Sequence, residues 1–315
     1  MNVLDLTLIV SVAAGMLRVS TPIVFAGLGA VISERSGVIN LGLEGLMLTG
    51  AFTAAAAQLA FGHWPLSLLL AGLAAALVGL LHGFFCVFLR ASQVVTGLAV
   101  IFLCQGLTAI FGRSLVGRSI PLDATSPLAV TASVPLLGPI LSQQDVMVFA
   151  ALASVAAVSL FLFRARWGVL LRACGESAVA ADAAGLPVRR TRLLAGGVCG
   201  AFCGLGGAHL SLFYAQQWQE NMVAGRGWIA LVMVIFGMWF PWRILVGAYL
   251  FGGLAALQLN LQARGVAAPQ YLLAMLPFVA TLVLLVVASW RLKRDSGWMP
   301  ADLGNPFPLE MEGKD

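Results

Sequence analysis

Asn40 and Glu44 stand four residues apart in Ser33-Glu-Arg-Ser-Gly-Val-Ile-Asn-Leu-Gly-Leu-Glu44, beside long apolar runs. On a helix that spacing sets both side chains on one face. A carboxylate near the start of an apolar helix is costly unless it meets protein or water, which makes Glu44 a functional candidate by default. The plainer readings are that Glu44 stabilises its helix N-terminus or pairs with Arg35, and that Asn40 is a helix cap. Gln93, Thr96 and Gln105 put hydrogen-bonding groups into a later apolar run. Weak, satisfiable groups of this kind suit the passage of a polar solute, and they equally suit helix-to-helix hydrogen bonding. Gln258 and Gln262, with Asn260 between them on another face, pose the same choice.

Sets of residues for bond-making chemistry are missing. A phosphate-binding loop needs Gly-x-x-x-x-Gly-Lys followed by Ser or Thr, but the two lysines, Lys293 and Lys314, precede Arg and Asp. His63, His82 and His209 are scattered, with no His-Glu-x-x-His, and there is no Gly-x-Ser-x-Gly. Cys86, Cys104, Cys174, Cys199 and Cys203 form no Cys-x-x-Cys and fall mostly in apolar runs, as small packing residues do. The expectation is a chain that is not an enzyme and that itself binds no metal or cofactor.

The elements that position these groups follow from composition. Of 315 residues, 60% are hydrophobic and 10% charged, with a mean hydropathy of +0.96. Soluble domains carry about 25% charged residues, so soluble, disordered, collagen-like and disulfide-framework classes are excluded. Runs such as Leu66 to Leu89 do not alternate as barrel strands do. The expected fold is all-α, a polytopic transmembrane helix bundle forming one domain over residues 1–315. About ten apolar segments are read: 5–17, 19–33, 41–61, 66–89, 93–112, 145–164, 191–213, 227–240, 243–262 and 270–291. The first, second and eighth are too short to cross about 30 Å as regular helices, which reads as broken helices lining a cavity. Pro22, Gly27 and Gly29 interrupt the second. Alternatively, the first two segments form a single kinked span, which gives nine segments and reverses the N-terminus.

The net charge of +5 is not gathered into a nucleic-acid footprint; basic residues punctuate the apolar runs. With both termini inside, the inner side holds Arg35, Arg90, the arginines between 164 and 192, Arg243, Arg291, Lys293, Arg294 and Lys314. The outer side holds only Arg18, Arg113, Arg118, Arg226 and Arg264. The stretch 164–192 is therefore the most secure inner loop. The connection 113–144, with Pro121, Pro127, Pro135 and Pro139, reads as an outer cap. No basic residue precedes the first apolar stretch, so that stretch is expected to stay in the mature protein. Gly196, Gly200, Gly204 and Ala208 repeat every four residues, a stripe that permits close helix crossing.

Within the inner loop, Glu176-Ser-Ala-Val-Ala-Ala-Asp182 reads as a short alanine-rich helix stopped by Gly185 and Pro187. Small side chains on such a helix allow it to dock closely in a groove of another protein. Glu-Ser-x-x-x-Ala-x-x-x-Gly-Leu-Pro resembles the coupling segment of ATP-binding-cassette importer permeases, in the branch for simple sugars, nucleosides and branched-chain amino acids. Leu28 to Phe52 and Gly225 to Gly237 agree, and Ser33 to Gly45 is similar to the nucleoside-type permeases in particular. The resemblance covers about residues 18 to 292. It implies a permease subunit of the bacterial cytoplasmic (inner) membrane for nucleosides, with simple sugars as the alternative and an ion-coupled secondary transporter as the rival class. It further implies ATP held by cytoplasmic ATP-binding subunits, a second permease chain, and an extracytoplasmic substrate-binding lipoprotein. Asn40, Glu44, Gln93, Thr96 and Gln105 are then the expected path residues. Glu176, Ala180, Ala181 and Gly185 are the expected ATPase contacts, in a coupling loop at about 165–190 ahead of a cytoplasmic tail at about 292–315. Trp239-Phe-Pro-Trp242 departs from the family by being bulkier than a short Gly/Asn turn.

Overall fold

The computed structural model describes residues 3–122, 137–265, 269–294 and 298–305. The part of the 113–144 connection that carries Pro127 and Pro135, and the tail beyond residue 305, lie outside them. The described residues form helices and no strands: α1 (Val3–Arg35), α2 (Leu43–Phe61), α3 (Trp64–Val87), α4 (Gln93–Gly112), α5 (Leu137–Leu141) and α6 (Val146–Arg164). They continue as α7 (Arg166–Glu176), α8 (Ala178–Ala183), α9 (Val188–Ala208), α10 (Arg226–Phe236), α11 (Pro241–Ala263) and α12 (Gln270–Arg294). A π-helical turn, His209–Tyr214, prolongs α9.

Six of the described helices are long and apolar enough to cross a membrane: Thr7–Arg35, Trp64–Val87, Gln93–Leu115, Val146–Arg164, Val188–Tyr214 and Pro241–Ala263. The chain is thus a multi-pass membrane protein, with fewer such helices than the ten segments expected. One reason is that the first two segments are a single helix of 33 residues with Pro22 inside it. Proline removes one N–H from the ladder. Here the hydroxyls of Ser20 and Thr21 donate to the carbonyls of Met16 at 2.6 Å and Leu17 at 2.9 Å, within the same turn. Neither is the Arg18 carbonyl that the proline deprives of its amide; the helix runs on through Pro22 without that one bond. Gly27 and Gly29 do not break the helix either; they face Ile244 of α11 and Cys199 of α9. Residue 3 therefore lies at the opposite end of α1 from Arg35, as in the single-span alternative. The charge asymmetry is unaffected, since no basic residue precedes Arg18.

α2 carries Glu44 and Gln58, both buried, and it is enclosed by other helices. The eighth segment does come out short, as the 11 residues of α10. The core is one cluster drawn chiefly from α1, α2, α6, α9, α10 and α11. The glycine stripe of α9 lies against α3. A Cβ on Gly200 would run into the Ala75 carbonyl and come within 3.0 Å of the Ala76 Cα, while one on Gly204 would stand 2.6 Å from the Ala71 oxygen. The five cysteines are buried and unpaired, as small packing residues.

At the end of the bundle away from Arg35, Asp145 caps α6 by accepting from the Met147 amide at 2.9 Å. His209 Nε2 lies 3.3 Å and Arg18 Nε 3.9 Å from its other oxygen. Burial pushes the Asp145 carboxyl upward, but the His209 hydrogen bond and the charges of His209 and Arg18 outweigh it, and the native value falls below the ordinary one. A depressed carboxyl contributes stability above its unfolded value, near 4, and that stability is lost as pH falls through the native value. Asp145→Asn should therefore lower the melting temperature at neutral pH, by a loss of about 1–2 kcal/mol. It should also flatten the acid limb of a melting-temperature profile; an unaltered acid limb would refute the assignment.

Candidate functional site

α10 starts inside the protein. Its N-cap, Gly225, has φ +85°, a left-handed conformation that glycine adopts without a Cβ penalty. From there the amides of Gly225 and Gly227 point at α2. Glu44 receives both, Oε1 from Gly225 at 2.7 Å and Oε2 from Gly227 at 2.8 Å. A carboxylate belongs there, because the exposed amides and the helix dipole make an N-terminus electropositive. The approach is close: a Cβ on Gly227 would fall 2.5 Å from the Glu44 nitrogen and 2.7 Å from its Cα. Glu44 is therefore a cap, but for a helix 181 residues further on rather than for its own.

The neighbouring polar groups are also spent on backbone. Asn40 Oδ1 accepts from the Gly42 amide at 2.8 Å, which closes a turn ahead of α2 and is not a helix cap, since Gly42 is the N-cap and takes no side-chain bond; its amide nitrogen lies 3.9 Å from the Cys199 sulfur. Gln93 Oε1 accepts from the Ile39 amide at 2.7 Å, and His82 Nε2 lies 3.5 Å from the Gln93 carbonyl. Thr96 is half-buried beside Cys86. Gln93 thereby pins the loop between α1 and α2 onto α4. Asn260 of α11 accepts from Ser11 at 2.8 Å, a helix-to-helix bond.

Gln105 is placed differently. One turn beyond Glu44 on α2, Leu48 borders a recess of about 250 Å³ that Gln105, Thr108 and Ala109 of α4 line together with Glu220 and Asn221. Glu220 and Asn221 come from the irregular segment between the π turn and α10, and both are exposed. Gln216, Asn221 and Ala224 in that segment all have φ near +50°. It is tied to the stretch after α4 by the Ile120 amide donating to the Gln216 carbonyl at 2.9 Å. Spacing within apolar runs could not reveal Glu220 and Asn221, because they lie in no run.

α10 is held at its other end too. Trp239 Nε1 donates to Glu34 at 2.6 Å, and Arg35 reaches the Trp239 carbonyl at 3.4 Å. Met238 and Trp239 have φ of 50° and 58°, so the chain turns sharply into α11 there. Phe240 stacks on Phe163, with Arg35 over both rings. The bulky Trp239-Phe-Pro-Trp242 stretch is accordingly an aromatic and arginine cluster at the Arg35 end.

The alanine-rich stretch folds as α7 and α8, joined at Ser177, whose hydroxyl caps α8 through Ala180 N at 3.2 Å. Gly185, at φ +77°, turns the chain toward α9. Ala180 and Gly185 are exposed beside Val179, Ala183 and Ala184. Ala181, expected as an ATPase contact, is not: it is buried with Cys174, Ala178 and Val188. Glu176 is exposed, and Oε2 lies 3.4 Å from the Ala301 amide. The three sequence blocks meet in space: Glu44 with Gly225, and Gly175 with the Arg35 carbonyl and Gly37.

Residues 12–288 match the family described as branched-chain amino acid transport system / permease component. The chain is 41% identical over 268 residues to a putative glucose ABC transporter permease of Haloferax volcanii, covering 82% of this chain and 80% of the relative. It is 34% identical over 282 residues to a guanosine ABC transporter permease of Bacillus subtilis, covering 84% and 88%. To a nucleoside ABC transporter permease of Lactococcus lactis it is 31% identical over 301 residues, covering 91% and 94%. No solved structure matches it.

Proposed function

From the premise that this chain belongs to the branched-chain amino acid transport system permease family, we propose that it forms the path by which nucleosides enter a bacterial cell. It is the permease component of an ABC importer and not an enzyme. Membership brings ATPase and substrate-binding partners in general; the finer assignment is of cytoplasmic ATP-binding subunits, an extracytoplasmic lipoprotein and a second, different permease chain, all at the cytoplasmic membrane. ATP is then held by the partners, and this chain binds no cofactor.

The nucleoside reading is carried by one observation: relatives named for guanosine and nucleoside transport align along more than four-fifths of both chains. The recess supports it physically. Gln105, Thr108, Glu220 and Asn221 offer amide, hydroxyl and carboxylate groups of the kind that hold ribose hydroxyls and base edges. In this assignment Gln105 faces the solute, while Asn40, Glu44, Gln93 and Thr96 form the scaffold behind it. A simple-sugar substrate is the second reading, favoured by the 41% identical relative.

The coupling reading assigns α8 and its exposed neighbours, Glu176, Ala180 and Gly185 among them, to the ATPase contact. The smallness of the alanines lets a partner surface close over the helix. In proteoliposomes holding the complete transporter, labelled guanosine should accumulate only with ATP, and excess glucose should not compete. Accumulation of glucose with no uptake of guanosine would overturn the nucleoside assignment in favour of the sugar.

A further inference from the structure

Residues 298–305 return to the bundle beside α8 and the Arg35 end. Asp302 is the centre of the contact. Its Oδ2 accepts from the Ala178 amide, in the first turn of α8, at 3.0 Å, and from Arg192 Nη2 at 3.0 Å. Its own amide donates to the Gly175 carbonyl at 2.9 Å. Arg192 is buried at 2% exposure, and besides Asp302 it donates to Ser36, Cys174 and Asn305 carbonyls. It thereby joins the end of α1, α7, α9 and the returning segment. Gly304 completes the attachment, its amide donating to the Gly37 carbonyl at 3.1 Å. At the other end of the segment, the Trp298 ring meets Phe240 edge-on with centroids 5.0 Å apart. Phe240 belongs to the cluster that ends α10, stacked on Phe163 and beneath Arg35.

We propose that residues 298–305 are a transmission strap: Asp302 fixes the start of the coupling helix, and Trp298 carries its displacement to the junction of α10 and α11. The inference rests on the coupling reading of α8. Charge makes Asp302 suitable as the fixed point, since bonds to a carboxylate are shorter and stronger than neutral ones. The aromatic contact suits the other end, because an edge-on pair resists sliding while remaining at the surface. Without the strap, α8 keeps its own cap at Ser177 and its packing against Val188, but it loses this connection to the inner end of α10. Asp302 and Trp298 are therefore positioning residues, acting through α8 and Phe240.

The test uses the complete transporter in proteoliposomes and reads solute imported per ATP hydrolysed. That ratio is insensitive to the amount of folded complex. Asp302→Ala and Trp298→Leu should each lower it about tenfold, with ATP hydrolysis persisting, and Trp298→Phe should restore it. Trp298 is 41% exposed, so its variants fold even where Asp302→Ala does not. A ratio unchanged in Trp298→Leu would overturn the strap. The coupling reading is checked separately by a cysteine at Ala180 in the otherwise native chain. If that cysteine fails to crosslink to the ATPase subunit, the docking assignment fails whatever the strap variants do.

Discussion

Glu44→Gln should abolish most uptake while leaving a folded permease that still assembles with its ATPase. Two backbone amides point at this side chain, each onto a different oxygen. A glutamine has one oxygen to offer, and its NH2 group would meet the second amide as donor against donor. One charge-assisted bond is lost and one buried donor is left unmade, a cost of about 3 kcal/mol. That cost falls on the start of α10, which loses its electrostatic complement and shifts from the wall beside the recess. Glu44→Ala should be worse, since it removes both acceptors and leaves a void against Gly227. The measurement is initial uptake rate per folded transporter, alongside a melting curve. Normal uptake by Glu44→Gln would show that the capped start of α10 has no part in the path.

Gly200→Leu should yield no folded protein. The atoms that meet a side chain there belong to the α3 backbone, the Ala75 carbonyl and the Ala76 Cα, and backbone in the middle of a helix cannot turn aside as a side chain can. Overpacking a compliant site costs about 1–3 kcal/mol; against rigid backbone the loss should exceed about 5 kcal/mol, the whole stability of a marginally stable protein. Gly106→Leu is the matched control, because nothing stands within 4 Å of a Cβ at that position. The comparison is the yield of monodisperse protein in detergent. Recovery of Gly200→Leu at the level of Gly106→Leu would mean that α3 and α9 do not cross this closely.

Much of this was legible in the sequence, for separable reasons. The stripe Gly196, Gly200, Gly204 was readable because close helix crossing depends on side-chain size at a four-residue period, which sequence displays directly. The short α10 was readable from its length. Pro22 allowed both a break and a single kinked span; the helix runs through it, because the missing N–H costs one bond in a 33-residue ladder. The partner of Glu44 could not be found by spacing: both local readings, its own helix terminus and Arg35, lie nearby in sequence, whereas Gly225 is brought in by the fold. That Ala181 is buried while Ala180 is exposed was not legible, because a six-residue helix gives too little periodicity to set its phase. The strap escaped notice because Asp302 and Trp298 sit in a polar tail with no repeating pattern.

The way charges are matched inside the bundle has an electrical consequence. Glu44 lies within the field of Arg226 on the helix it caps, Asp145 beside Arg18 and His209, and Asp302 against Arg192. Each acid and its counter-charge sit on elements that are bonded or packed together. When α10 shifts together with α2, the negative and positive members travel as one, and no net charge is displaced through the membrane voltage. A single unmatched charge crossing that voltage would couple the step to it by about 2.3 kcal/mol per 100 mV. For the Glu44 and Arg226 pair, then, the membrane voltage would find no net charge to act on as α2 and α10 move.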